Sequence, residues 1–265
     1  MHRAHHLRSR GAHAVISLRG KRALVTGGSR GIGAATALLF AECGADVAIG
    51  YRSRKEDAAQ ITNQARGFGV RAFAYAHDIG SREGSESLLR STVADLGGLD
   101  FFVGNAGIWP ADDVPVADMD DGRWRRTMLE NVDSMFFTTR AAARVMNDGG
   151  RIVLVSSTAG QRGEAYHADY AASKGAMISY VKSLCVELAK RGITVNSVAP
   201  GWVDTEMCAG PFANGGRDRI AASIPLGRVA HPRDIAGPII FLCSELGRHI
   251  TGEILNVNGG SVLAG

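Results

Sequence analysis

From Lys21 to the end of the chain, short apolar runs alternate with longer amphipathic ones. A short continuous apolar run bounded by turn residues reads as a strand buried on both faces, and an amphipathic stretch between two such strands reads as a crossover helix. The spacing predicts strands over 23–25, 46–49, 70–76, 99–103, 151–155, 193–198 and 254–257. It predicts helices over 32–43, 55–66, 82–96, 124–146, 168–190 and 235–244. Right-handed crossovers turn this order into a doubly wound parallel sheet of the α/β class, about seven strands covered by helices on both faces. No linker interrupts the pattern, so residues 20–265 are expected to form a single domain. The least regular stretch is about 201–232, punctuated by glycines and prolines from Gly201 to Pro232. It follows the sixth strand, on the edge where such sheets bind ligands, and is expected to be a lid over the site.

Composition matters at the amino terminus. The net charge is +4, but residues 1–19 hold Arg3, Arg8, Arg10 and Arg19 with no acid among them. The rest of the chain is therefore neutral, which gives no argument for a nucleic-acid or membrane partner. Residues 1–19 also hold His2, His5, His6 and His13, and are expected to be a disordered or non-native extension. Cys43, Cys185, Cys208 and Cys243 are scattered, without a C-x-x-C pair. That usage fits a reducing, cytoplasmic location and not a disulfide framework. No spacing resembles a metal site, and no apolar run reaches the 18 residues expected of a membrane helix.

Two stretches carry chemistry. Thr26-Gly27-Gly28-Ser29-Arg30-Gly31-Ile32-Gly33 follows the first strand and opens the first helix. Glycines let backbone N–H groups approach a pyrophosphate, and a helix N-terminus favours its charge. No Gly-Lys-Ser/Thr follows, so this is not a Walker loop. The second stretch is Tyr170-Ala171-Ala172-Ser173-Lys174, at the head of the fifth long helix. A spacing of four puts the phenol and the ammonium on one helix face, a turn apart. The ammonium is expected to lower the phenol pKa from its usual value of about 10.

With Asn105-Ala106-Gly107, Asn131, Ser157 and Pro200-Gly201, these motifs form an ordered set. The set resembles the short-chain dehydrogenase/reductase family, from about Lys21 to Gly260. The resemblance implies a Rossmann-type domain and hydride transfer between a nicotinamide cofactor and a carbonyl or secondary alcohol. It implies that Ser157 and Tyr170 donate hydrogen bonds to the substrate oxygen, with Tyr170 as general acid or base. Lys174 would hold the nicotinamide ribose as well as tune Tyr170, and Asn131 would hold a water linking that lysine to solvent. Gly27, Ser29, Arg30, Gly31, Ile32 and Gly33 would bind the cofactor phosphates. Asp78 and Ile79 would meet the adenine, and Asn105, Ala106 and Gly107 would complete the cofactor wall. Pro200, Gly201, Val203 and Thr205 would lie against the nicotinamide. The second strand ends in Tyr51-Arg52-Ser53-Arg54 without the carboxylate that selects NAD. Arg30 and Arg52 are therefore read as clamps on a 2′-phosphate, and the cofactor as NADP(H).

Ile224-Pro225-Leu226-Gly227-Arg228 and Asn258-Gly259-Gly260 look similar to 3-oxoacyl-acyl-carrier-protein reductases. A carrier-linked thioester ketone is the expected substrate, with fatty acid synthesis as the context. A sugar, cyclic or xenobiotic ketone is the alternative. The basic docking patch this implies is half matched, by Arg191 but with Asp148 at the other position. Trp109, Gln161, Tyr166, His167, Trp202 and Phe212 are candidates for the substrate pocket. A non-catalytic NADP-binding regulator would be expected to lose Ser157, Tyr170 or Lys174, and all are present. The fifth helix is apolar around much of its circumference, as a helix in a subunit contact would be. The family commonly forms tetramers of 222 symmetry, and a homotetramer is expected.

Overall fold

A computed structural model describes residues 15–263 of the chain. Runs rich in β-branched and aromatic residues pair into one seven-stranded sheet among the described residues, in the order β3-β2-β1-β4-β5-β6-β7. The strands are β1 (Arg22–Thr26), β2 (Asp46–Tyr51), β3 (Ala72–Ala76), β4 (Phe101–Gly104), β5 (Arg151–Val155), β6 (Thr194–Pro200) and β7 (Ile254–Val257). Every pairing is parallel, with Leu24 level with Ala48 on one side and Phe102 on the other. The strand order reverses direction between β1 and β4, and a crevice opens at such a point beyond the carboxyl ends of the strands.

Helices cover both faces. On one side α1 (Gly31–Glu42), α2 (Lys55–Arg66) and α10 (Pro232–Cys243) enclose a core that includes Val25, Phe40, Ile49, Val153 and Ile239. On the other, α3 (Arg82–Leu96), α5 (Ser134–Val145) and α7 (Ala168–Glu187) enclose Leu24, Leu89, Phe102, Ile152 and Val181. Neighbouring strand residues such as Ile152 and Val153 feed opposite cores because side chains alternate across a strand. Polar residues set the helix ends. Ser81 Oγ accepts from Gly84 N at the start of α3, and Gly97 closes it with φ +79°. His231 and Asp234 form a capping box on α10, with Pro232 in its first turn.

Three sequence expectations change. The helix expected over 124–146 is two helices, α4 (Asp121–Met128) and α5, joined by a π-helical turn over Leu129–Asp133. The irregular stretch 201–232 contains helices α8 (Ala209–Phe212) and α9 (Gly216–Ser223), and Val203 bridges to Ala230. The packed body also begins before residue 20. Leu18 is buried in the first core, Ile16 packs against it, and Leu18 N donates to Cys43 O at 2.8 Å. The rest of the expected extension, residues 1–14, lies outside the described residues. Among those described, no helix is long and apolar enough to cross a membrane.

Candidate active site

A cavity of about 530 Å³ opens at the carboxyl edge of the sheet, over the reversal between β1 and β4. Its cofactor end is the glycine turn. Gly27 and Gly31 adopt φ of +64° and +55°. A Cβ at Gly33 would stand 2.2 Å from the Gly27 carbonyl oxygen, so only glycine lets the turn pack on the head of α1. No side chain caps α1 and no acid lies in its first turn. The first N–H groups of the helix are thus left to a ligand, as an anionic pyrophosphate requires. The residues present fit that group.

The β4 loop is tied to this turn. Asn105 N donates to Thr26 Oγ1 at 3.0 Å, and its amide donates to Thr26 O at 2.9 Å and Gly27 O at 3.2 Å. Ser29, Arg30, Gly31, Ile32, Arg52, Asp78, Ile79, Asn105, Ala106, Gly107, Pro200, Gly201, Val203 and Thr205 all line the cavity, as does Gly27. Gly33 stands behind the wall as the packing contact just described. Asp78 also shapes its own turn, with Gly80 N donating to Oδ1 at 3.1 Å.

At the other end, β5 delivers Ser157 and α7 delivers Tyr170 and Lys174 to one wall. Ser157 Oγ caps the short helix α6 (Thr158–Arg162) by accepting from Ala159 N at 3.1 Å. The same hydroxyl stands close enough to Tyr170 to hydrogen-bond the phenolate. Lys174 is buried, and Nζ donates to Val155 O at 2.9 Å. Burial pushes its pKa down to about 8. Lys174 is not among the groups that shift the Tyr170 phenol in this structure. Burial pushes the phenol up, Ser157 opposes that, and the charges of Glu164 and Cys208 add to it. Lys174 Nζ lies 5.8 Å from the Tyr170 ring centre, turned to the Val155 carbonyl.

Several expected residues are elsewhere. Asn131 is fully buried and outside the cavity wall. Its Oδ1 accepts from Ile108 N at 2.7 Å, and Nδ2 donates to Ile108 O and Ser173 Oγ, both at 3.0 Å. It braces the β4 loop against α7. Gln161 does not line the cavity either: its amide donates to Asn256 Oδ1 on β7 at 2.6 Å. His167 is buried behind the wall, stacked on Trp109 at 4.8 Å, while Trp109 and Trp202 meet edge to face at 6.0 Å and do line the cavity. Tyr166 and Phe212 are likewise outside the lining. Arg191 is committed to structure, donating to Asp148 Oδ1 at 2.8 Å and to the carbonyls of Ala143 and Met146. It offers no free docking charge.

The cavity also contains residues that the sequence did not single out: Arg54, Glu130, Glu164, Glu206, Met207 and Cys208. Arg54 was legible, two residues beyond Arg52. Glu164 lies in the short interval between Ser157 and Tyr170. Glu130 and Glu206 are revealed only by their partners, Arg52 on the one hand and Arg30 and Arg54 on the other.

A family model described as enoyl-(acyl carrier protein) reductase matches residues 27–261. The chain is 40% identical over 247 residues to the 3-oxoacyl-acyl-carrier-protein reductase FabG of Vibrio cholerae, covering 92% of this chain and 98% of that protein. It is 37% identical to versicolorin reductase 1 of Aspergillus parasiticus, over 92% of this chain and 97% of the relative. A short-chain dehydrogenase of Burkholderia cenocepacia, solved in complex with NADP, superposes with a TM-score of 0.86 at 38% identity, over 92% of this chain and 98% of that one.

Proposed function

The chain belongs to the short-chain dehydrogenase/reductase family and is an oxidoreductase, and from that premise we propose that it uses NADPH to reduce the ketone of a 3-oxoacyl thioester. The observation that carries the reading is one cavity wall holding Ser157, Tyr170 and Lys174 opposite an uncapped glycine turn. The bound nicotinamide supplies the hydride. The chain's own residues do the rest. Ser157 and Tyr170 donate hydrogen bonds to the oxygen on which negative charge develops. Tyr170, held as the neutral phenol by its burial, delivers the proton to that oxygen. Lys174, on the same wall, would hold the ribose of the bound cofactor and would return a proton to Tyr170. Trp109 and Trp202 exclude water from the reacting centre. The guanidiniums of Arg30, Arg52 and Arg54 at the far end favour the 2′-phosphate that distinguishes NADP from NAD.

A panel of 3-oxoacyl thioesters, cyclic ketones and sugar ketones, each with NADPH and followed by absorbance of the reduced nicotinamide, tests the substrate. Tyr170→Phe tests the chemistry: turnover is expected to fall about 10²–10⁴-fold. Turnover of the Phe variant at the wild-type rate would overturn the assignment. The indole walls favour a second reading, a cyclic or aromatic ketone, which the same panel separates from the first. With Arg191 committed to its own loop, a carrier protein would have to dock through other cations. We further propose a cytoplasmic enzyme, which its four unpaired thiols support. A homotetramer is supported by the exposed Ala172, Ala176 and Val186 of α7 beside Phe136 of α5.

A further inference from the structure

Every guanidinium at the far end of the cavity is already held by a carboxylate of this chain. One oxygen of Glu206, Oε2, accepts from Arg30 Nη1 at 2.5 Å and from Arg54 Nη2 at 2.9 Å. Arg54 also reaches Asp57 Oδ2 at 3.4 Å, and Arg52 pairs with Glu130. Arg30, Arg52 and Arg54 share the cavity wall with Asp78, Glu130 and Glu206, three positive charges against three negative. This end of the wall therefore presents no net positive charge to a phosphate dianion until one carboxylate gives way.

We propose that Glu206 is an internal competitor for the cofactor's 2′-phosphate, and so a residue that sets the preference between NADPH and NADH. The inference rests on the NADP(H) reading above. Two carboxylates could yield, and the structure favours Glu206. Its side chain is 56% exposed against 24% for Glu130, and both of its arginine partners are about half exposed. Pairs this exposed exchange partners at little cost because water solvates the charge released. The Glu206 carboxylate also takes both guanidiniums on a single oxygen, whereas a phosphate offers each one an oxygen of its own. A cofactor without the 2′-phosphate brings no anion to this end and leaves the clasp intact. The clasp joins three segments that are far apart in the chain: the glycine turn, the loop after β2 and the segment after β6.

The test is titration of the full chain with NADPH and with NADH, read by quenching of the tryptophan fluorescence of the cavity wall, where Trp109 and Trp202 lie. Glu206→Gln keeps the shape of the side chain and removes the charge. It is expected to tighten NADPH binding about three- to tenfold and NADH less than twofold, by the size of exposed ion pairs. The advantage should shrink as salt is raised. Equal tightening for both cofactors, no change, or weaker NADPH binding would overturn the proposal. Where Glu206→Gln lowers the melting temperature, Glu206→Asp takes its place. It retracts the charge by one methylene and is expected to shift the NADPH/NADH ratio in the same direction by a smaller factor. An unchanged ratio overturns the proposal there too. Arg52→Ala in the same titration separates this from the reading beneath it. If wild type does not prefer NADPH and Arg52→Ala leaves the ratio unchanged, the NADP(H) reading fails. If Arg52→Ala lowers the ratio while the Glu206 variants are silent, only the clasp fails.

Discussion

Lys174 pays for its position in stability. Burial disfavours its ammonium, and the pKa falls from 10.5 to about 8. The unfolded chain binds more protons than the folded one between those values, so this group's contribution rises with pH from about 8 to 10.5. Below about 8 the penalty is fully present. Lys174→Met should therefore abolish turnover yet raise stability at pH 7 by about 1–2 kcal/mol, once loss of the bond to Val155 is set against the relieved burial. Thermal melts at neutral pH and near pH 10 check this: the gain should fade at the alkaline end, and a variant less stable at both refutes it. Glu164 acts on the neighbouring phenol. Its half-buried carboxylate makes no ion pair among the described residues, and its charge raises the Tyr170 pKa. Alcohol oxidation needs the phenolate and so should accelerate with rising pH. Glu164→Gln should move that rise toward acid, as a pH profile of the oxidation rate will show. A profile that stays in place would remove Glu164 from the account.

At the scale of elements, the junction of the glycine turn with α1 tolerates the least change. Gly33→Ala would set a methyl against the Gly27 carbonyl and the Asn105 amide, at 2.2 and 2.6 Å. A backbone contact cannot swing aside, so the variant should lose about 1–3 kcal/mol and most of its affinity for NADPH. A melt and a cofactor titration measure both, and unaltered affinity would contradict the role given to the turn. Regular elements were legible from periodicity where their ends carry strong signals. The expected bounds of α2, α3, β5 and β7 coincide with those found, and Ser81 and Gly97 show why for α3. Periodicity fails at the π-helical turn, because an extra residue per turn leaves the apolar pattern continuous on either side. It fails again at α8 and α9, where Gly210, Pro211 and Gly216 mimic a loop while their backbones are helical. The site was legible where a residue type does the chemistry, as at Tyr170 and Lys174. It was illegible where the partner is remote: the pairing of Arg30 with Glu206 spans 176 positions. Gln161 shows the reverse, a polar pocket candidate whose amide hydrogen-bonds Asn256 within the fold and lies outside the cavity lining.

At the scale of the whole molecule, the exposed apolar face of α5 and α7 is the surface on which oligomerisation is expected. Light scattering should give a tetramer, and a monomer at micromolar concentration would refute it. Substitution of exposed Val186 by Lys should shift the assembly toward smaller species, because a charge buried at an interface without a partner is costly. The sheet has a consequence of another kind. Its two faces feed cores that share no buried residue, one holding Ile239 and the other Leu89. The hydrogen-bonded sheet between them acts as a partition through which neither side chain touches the other. Damage on the two sides should therefore accumulate independently. The destabilisation of Ile239→Val combined with Leu89→Ala should equal the sum of the single effects to within about 0.5 kcal/mol, and a larger discrepancy in a double-mutant cycle would mean that the partition transmits strain.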